Sequence, residues 1–323
     1  MNKVRLHEVE GLLELVSTDP WIFRPSELYE IEGPLRVELK RYNIYLIARR
    51  KRIVLDPESL RIEGQGSKIV GAFIVSHEDE KKAVPFEFPN PTNLPITSLG
   101  ETEFPHIHLR FIAGGVVPIQ LRLHDVVRFC QVELAGAANL KVEYIGQSFG
   151  DNGSSDALQR LIGKTGKQGH GSFQKVLADL SDRYPDSESH VLLYSYEQYK
   201  NYMFMGGGVP AVNNFESGED RLDRLMNAEY TRENRIDLIE AGLIRYFQPA
   251  YNDIYKKTFP RESHAMLQSL FEADVTGLAI SLSTLEHSIS VYSDQVSPSA
   301  MHCAQFPIVD DAARASFLDL AML

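Results

Sequence analysis

The chain reads as an α+β protein: a β-rich N-terminal domain over residues 1–130, an α/β domain over 131–260, and a C-terminal extension over 261–323 carrying a short β-hairpin. Three observations predict this. The first 130 residues are short β-branched and aromatic runs cut by Gly, Pro and charge. From 131 the texture changes to strands alternating with capped, apolar-periodic segments. A length of 323 residues suits two ordinary domains better than one.

In the first part, Leu35–Leu39, Tyr42–Ala48, Ile53–Leu55 and Lys68–Val75 read as strands, and the prolines and asparagines between Pro85 and Pro95 read as a loop. His106–Ile112 and Val116–Leu123 form a predicted hairpin about Gly114-Gly115. In the second part a strand at Lys141–Ile145 is followed by a Gly/Asn/Ser-rich loop, a helix over Asp156–Ile162 and another over Ser172–Leu180. His190–Tyr196 reads as a buried strand, and a strong helical pattern spans about Arg221–Phe247. After Pro260 come a short helix and a hairpin pairing Thr276–Ser283 with Ser288–Tyr292.

With 43% hydrophobic and 24% charged residues the chain can bury a core. Its longest apolar runs, such as Ile69–Val75, fall far short of the roughly 20 residues a membrane helix needs, and acids interrupt the N-terminus before a signal core could form. No membrane partner and a cytoplasmic location are the expectations. Cys130 and Cys303 are too far apart in sequence for a local thiolate site and are expected to be free buried thiols.

A net charge of −11 weighs against binding phosphate, but the excess is uneven: residues 261–323 hold 2 basic against 8 acidic side chains. That acidic piece is a candidate contact with a second copy or a protein partner. Residues 157–178, by contrast, carry Arg160, Lys164, Lys167 and Lys175 and no acid. With Arg49, Arg50, Lys51 and Arg52 they are candidate nucleic-acid contacts; the lysines are also readable as a solvated loop and the run at 49–52 as a solvated hairpin turn.

The most informative position is Glu240. With Ile236 as zero on a helix turning about 100° per residue, Ile239, Leu243 and Phe247 lie within about 60° of it, and Glu240 lies at about 40°. A carboxylate on an apolar stripe needs a basic partner or a cation. Just beyond, Pro249 stops the helix and Asn252 offers an amide to tie the following loop.

Tyr144-Ile145-Gly146, then Arg160, His170, Glu240 and Pro249-Ala250-Tyr251-Asn252 together resemble the GIY-YIG nuclease superfamily over about the middle third of the chain. The resemblance implies a metal-dependent endonuclease that hydrolyses phosphodiester bonds in nucleic acid, DNA first, with Mg²⁺ or Mn²⁺, of a kind used in restriction and phage defence. By motif Tyr144 is the second half-motif's tyrosine, Arg160 the phosphate-contacting arginine, Glu240 the metal ligand, Asn252 the residue closing the site, and His170 a histidine used in some branches.

One part of the pattern is absent where it is expected. About ten residues before Tyr144, where the Gly-Ile-Tyr half-motif belongs, stand Val132-Glu133-Leu134 and no tyrosine. Either Glu133, Tyr144 or His170 replaces that group, or the chain is a catalytically silent binding or assembly protein. A third possibility is an assembly subunit acting through residues 261–323.

Overall fold

The computed structural model describes residues 9–77, 80–130, 134, 136–150, 153–163, 171–205, 218–261 and 263–308. The fold is α+β, and its strands form four sheets among the described residues.

Two sheets make the body. The first is centred on β3 (Ile44–Lys51), flanked by β11 (Leu140–Gln147) and β12 (Ser187–Tyr194), both antiparallel to it. Beyond them lie β2 (Trp21–Phe23) against β12 and β15 (Val291–Tyr292), which meets β11 only at Leu140 and Lys141. The second sheet runs β13 (Gln198–Met205), β1 (Val9–Val16), β14 (Val275–Ser283) and β16 (Met301–Pro307), with β1 and β14 parallel.

Side chains alternate across β3 as the two-residue strand period requires. Ile44, Leu46 and Ala48 join the core shared with the second sheet and with helix α6 (Arg232–Phe247). Tyr45 and Ile47 face the other way, into a core with α3 (Ala157–Ile162) and α4 (Gly171–Arg183). α6 is capped by Thr231, whose hydroxyl accepts from the Asn234 amide at 3.2 Å. It ends at Gln248, in the left-handed region at φ 49°, just before Pro249. Next to it α5 (Gly218–Met226) lies on β1 and β13, and α7 (Gln268–Glu272) on β14.

Between β3 and β11 the chain builds a separate core. It comprises β4 (Ile53–Leu55), β5 (Arg61–Glu63), β6 (Lys68–His77) and β7 (Glu80–Pro89) as one sheet, and β8 (Ile96–Leu99), β9 (His108–Ala113) and β10 (Val117–Arg122) as another. Helix α2 (Leu123–Cys130) closes it, and the buried cluster runs from Ile53 to Ala137.

The sheets do not follow divisions at 130 and 260. β2 and β3 pair with strands from the middle of the chain, and the C-terminal β14 is a buried central strand rather than half of a hairpin with Ser288–Tyr292. Leu35–Leu39 is not a strand: Pro34 opens the short helix α1 (Gly33–Glu38). Pro85 and Pro89 lie within β7 rather than in a loop, because among the described residues β7 pairs only with β6 and an edge strand tolerates a missing N–H. Both cysteines are free, but Cys303 is exposed, its side chain falling on the outward positions of β16. No helix among the described residues is long and apolar enough to cross a membrane.

Candidate functional site

The tyrosine that neighbours Tyr144 is Tyr45. Antiparallel pairing sets Tyr45 opposite Gly146 and Ile47 opposite Tyr144, and the two phenol rings lie 6.1 Å apart between centroids. Gly146 is required by this approach: a Cβ there would stand 2.5 Å from Cζ and Oη of Tyr45 and 2.9 Å from Cε1 of Tyr144. Sequence reasoning looked for a partner tyrosine about ten residues before Tyr144, found none at 132–134 and missed Tyr45, because residues 53–137 separate strands that pair directly. The available signal was Ile44-Tyr45 opening a strand with no break in its apolar run.

Among the described residues one edge of β11 faces no strand beyond Lys141, and other groups complete it. The Tyr251 amide donates to the Glu143 carbonyl at 3.0 Å. Two residues on, the Asn252 side chain accepts from the Ile145 amide and donates to its carbonyl, both at 2.8 Å. Asn252 therefore acts as a one-residue strand, tying the loop after α6 to β11 rather than to the helix.

After a further two residues comes Gln147, whose side-chain amide donates to Oδ1 of Asp237 on α6 at 2.8 Å. Glu240 lies one turn along and faces the same glutamine. Burial, then the neighbouring Asp237 charge, pushes the Glu240 carboxyl up to about 7, against the opposing pull of Gln147 and Arg160. The carboxylate acts in turn on both phenols. Tyr45 is held well above the ordinary tyrosine value by burial, then by Tyr144 and Glu240, while Arg160 opposes the rise. Tyr144, half-buried, is raised by burial and Glu240 and lowered by Tyr45 and Arg160.

Arg160 is exposed on the last turn of α3, a helix anchored by buried Asp156. That carboxylate accepts from the Gln159 amide at 2.8 Å and pairs with Arg36 at 3.1 Å. The helix so fixed carries a guanidinium to the end of β3 and β11 that bears Tyr45 and Tyr144, with its charge free to meet an anion.

Among the described residues no cluster of three or more His, Cys, Asp or Glu side chains could hold a metal. A hard cation that keeps most of its waters needs fewer protein ligands. Glu240 fits such a cation: a half-buried carboxylate beside a second acid carries negative charge that a cation would relieve.

The other candidates are dispersed. His170, Lys164 and Lys167 lie outside the described residues, as does Glu133. Lys175 is exposed on α4. Residues 49–51 end β3 and Arg52 follows it, and the side chains of the run part company there. Arg50 is buried and pairs with Glu188 at 2.7 Å, while Arg49 bonds Glu143 at 2.7 Å and stacks on the Tyr184 ring. Only Lys51 and Arg52 are exposed, with Arg52 donating to the Ser187 carbonyl at 3.4 Å.

Compared with family models, curated proteins and solved structures, the chain matches none.

Proposed function

We propose that the protein is a metal-dependent endonuclease of the GIY-YIG type, with Ile44-Tyr45 on β3 as the first half-motif and Tyr144-Ile145-Gly146 on β11 as the second. The observation that carries this reading is the approach of Tyr45 and Tyr144, whose rings lie 6.1 Å apart on paired strands, with the charges of Arg160 and Glu240 acting on both phenols. In it, residues 53–137 are an insertion between the half-motifs.

Each group has a role in hydrolysis of a phosphodiester. Arg160 offers its planar fork to the phosphate, whose charge grows in the transition state. Tyr144 is the phenol that reaches solvent and takes the proton of the attacking water, with Tyr45 behind it. Glu240 would hold Mg²⁺ or Mn²⁺, and a cation bound there supplies positive charge for the phosphate and leaving oxygens. Nucleic acid, DNA first, is the substrate of this reading.

Incubation with plasmid, single-stranded DNA and RNA in Mg²⁺ or Mn²⁺ tests it, with Glu240→Ala as control. Cleavage that persists in the control overturns the assignment. Salt-sensitive binding with no cleavage of any substrate supports instead the silent binding protein, a reading that the presence of Tyr45 disfavours.

A further inference from the structure

We infer that Gln147 is a positioning residue that fixes the Glu240 carboxylate by bridging it to Asp237, so that Gln147 and Asp237 set the affinity of the site for a divalent cation. The inference rests on the endonuclease reading and extends it to two residues that the motif does not contain.

The geometry starts from α6. Asp237 and Glu240 are three residues apart, which places both side chains on one side of the helix. Two like charges so placed repel, and nothing on the helix itself keeps either in one rotamer. The neighbour they share is the last residue of β11. Gln147 spends one N–H of its side-chain amide on Asp237 at 2.8 Å, and a primary amide has a second N–H to give. Glu240 stands one helical turn from Asp237 on the helix that packs against β11, within reach of that second N–H, and Gln147 lowers its carboxyl against the rise from burial.

The strand explains why the bridge stands where it does. Along this edge of β11 the outward-facing groups come every second residue: Glu143 is taken by Tyr251, Ile145 by Asn252, and the next in the series is Gln147. Glu240 sits on the helix that covers one face of the sheet, whereas Tyr45 and Tyr144 belong to the other. At the end of this edge a carboxylate can act on groups of both faces. Anchoring by Gln147 keeps it there.

Chemistry limits what can stand in for this residue. Methionine matches the length without donating. Glutamate places a third carboxylate beside two. Asparagine is one methylene too short to span both acids.

The test uses the full chain and two readouts, Mn²⁺ binding followed by electron paramagnetic resonance and the Mg²⁺ dependence of plasmid cleavage, with thermal unfolding as a control for folding. In Gln147→Met the Mn²⁺ dissociation constant is expected to rise roughly 10- to 100-fold, as for other partners that orient metal ligands. The Mg²⁺ concentration for half-maximal cleavage should rise in parallel, with less than about 3-fold loss at saturating Mg²⁺. Asp237→Asn, which keeps an oxygen able to accept from Gln147, should retain much more of the affinity than Asp237→Ala.

The outcomes separate the two claims. Cleavage by the wild type with unchanged metal dependence in a folded Gln147→Met overturns the inference and leaves the endonuclease reading standing. Absence of cleavage, with Mn²⁺ binding abolished by Glu240→Gln and weakened by Gln147→Met, overturns that reading and supports the inference. A wild type that binds no Mn²⁺ overturns both.

Discussion

Glu240 is a half-buried acid on an otherwise apolar helix face, and its cost to the fold is measurable. Its carboxyl is raised from 4.5 to about 7, so between those values the folded chain holds a proton that the unfolded chain has released. Stability therefore falls as pH rises through this window, is unaffected below it and is fully reduced above it. Glu240→Gln should stabilise the metal-free protein by about 1–2 kcal/mol at pH 8, allowing for solvent screening at a half-buried group, and by nothing measurable at pH 4. Denaturant titrations at the two pH values check this. The same variant should lose cleavage by roughly 100-fold or more in single-turnover assays.

Two further residue changes separate the phenols from the backbone that holds them. Tyr45→Phe and Tyr144→Phe should each lower kcat, with the larger loss, about 100-fold, for the phenol that takes the proton, while KM for plasmid stays near wild type. Gly146→Ala forces the buried Tyr45 ring to move and should destabilise by about 1–3 kcal/mol, read from the urea midpoint, as well as slowing cleavage. Glu240 was legible in the sequence because helical periodicity exposes an acid on an apolar stripe. Gly146 was legible only as a motif letter; the reason for it is a ring from a distant strand.

Among the elements, β11 shows how a strand edge is completed by side chains. Asn252 supplies the donor and the acceptor that a neighbouring strand would supply to Ile145, and it is buried. Asn252→Ala strands both backbone groups and should cost about 2–4 kcal/mol in urea unfolding, more than Asn252→Asp, which keeps an acceptor. Local signals identified several elements well: α3 as a capped helix after a Gly/Asn/Ser-rich loop, although its cap is Asp156 rather than Ser154 or Ser155, α4 and α6 through apolar spacing, and β12 through its continuous buried run. They failed where context overrides propensity. Leu35–Leu39 has strand-like residues but follows Gly33-Pro34 into a helix, and the prolines of β7 are acceptable only because that strand lies at an edge.

Across the whole molecule, the seam between the inserted core and the body depends on neutral histidines. His287 Nε2 donates to the Pro20 carbonyl at 2.7 Å, which leaves its Nδ1 to accept from His124 Nε2 on α2 at 2.9 Å. Protonating His287 sets two donors against each other, and protonating His124 adds a charge beside Arg50, Arg122 and Arg128. Burial holds His124 well below its usual 6.5, and burial likewise lowers His287. With folded values below unfolded ones, stability is full above about pH 6.5 and is lost as pH falls through the unfolded value, opposite in sign to the contribution of Glu240. Thermal unfolding from pH 7.5 to 5 should show the loss, and His124→Gln should flatten that slope.

By itself the sequence determined the features that depend on neighbours a turn or a strand away: the α+β class, the positions of several helices and the apolar face of α6 with Glu240 set in it. Helical and strand periods are properties of local backbone geometry, so they are written in adjacent residues. Tertiary structure alone decided which strands meet. The pairing of β3 with β11 spans the whole inserted core, and a hydrogen-bonded ladder carries no mark in either strand of the identity of its partner. That pairing brought Tyr45 to Tyr144 and Arg49 to Glu143, while the pairing of β3 with β12 set Arg50 against Glu188, and β14 and β16 joined β1 in the second sheet.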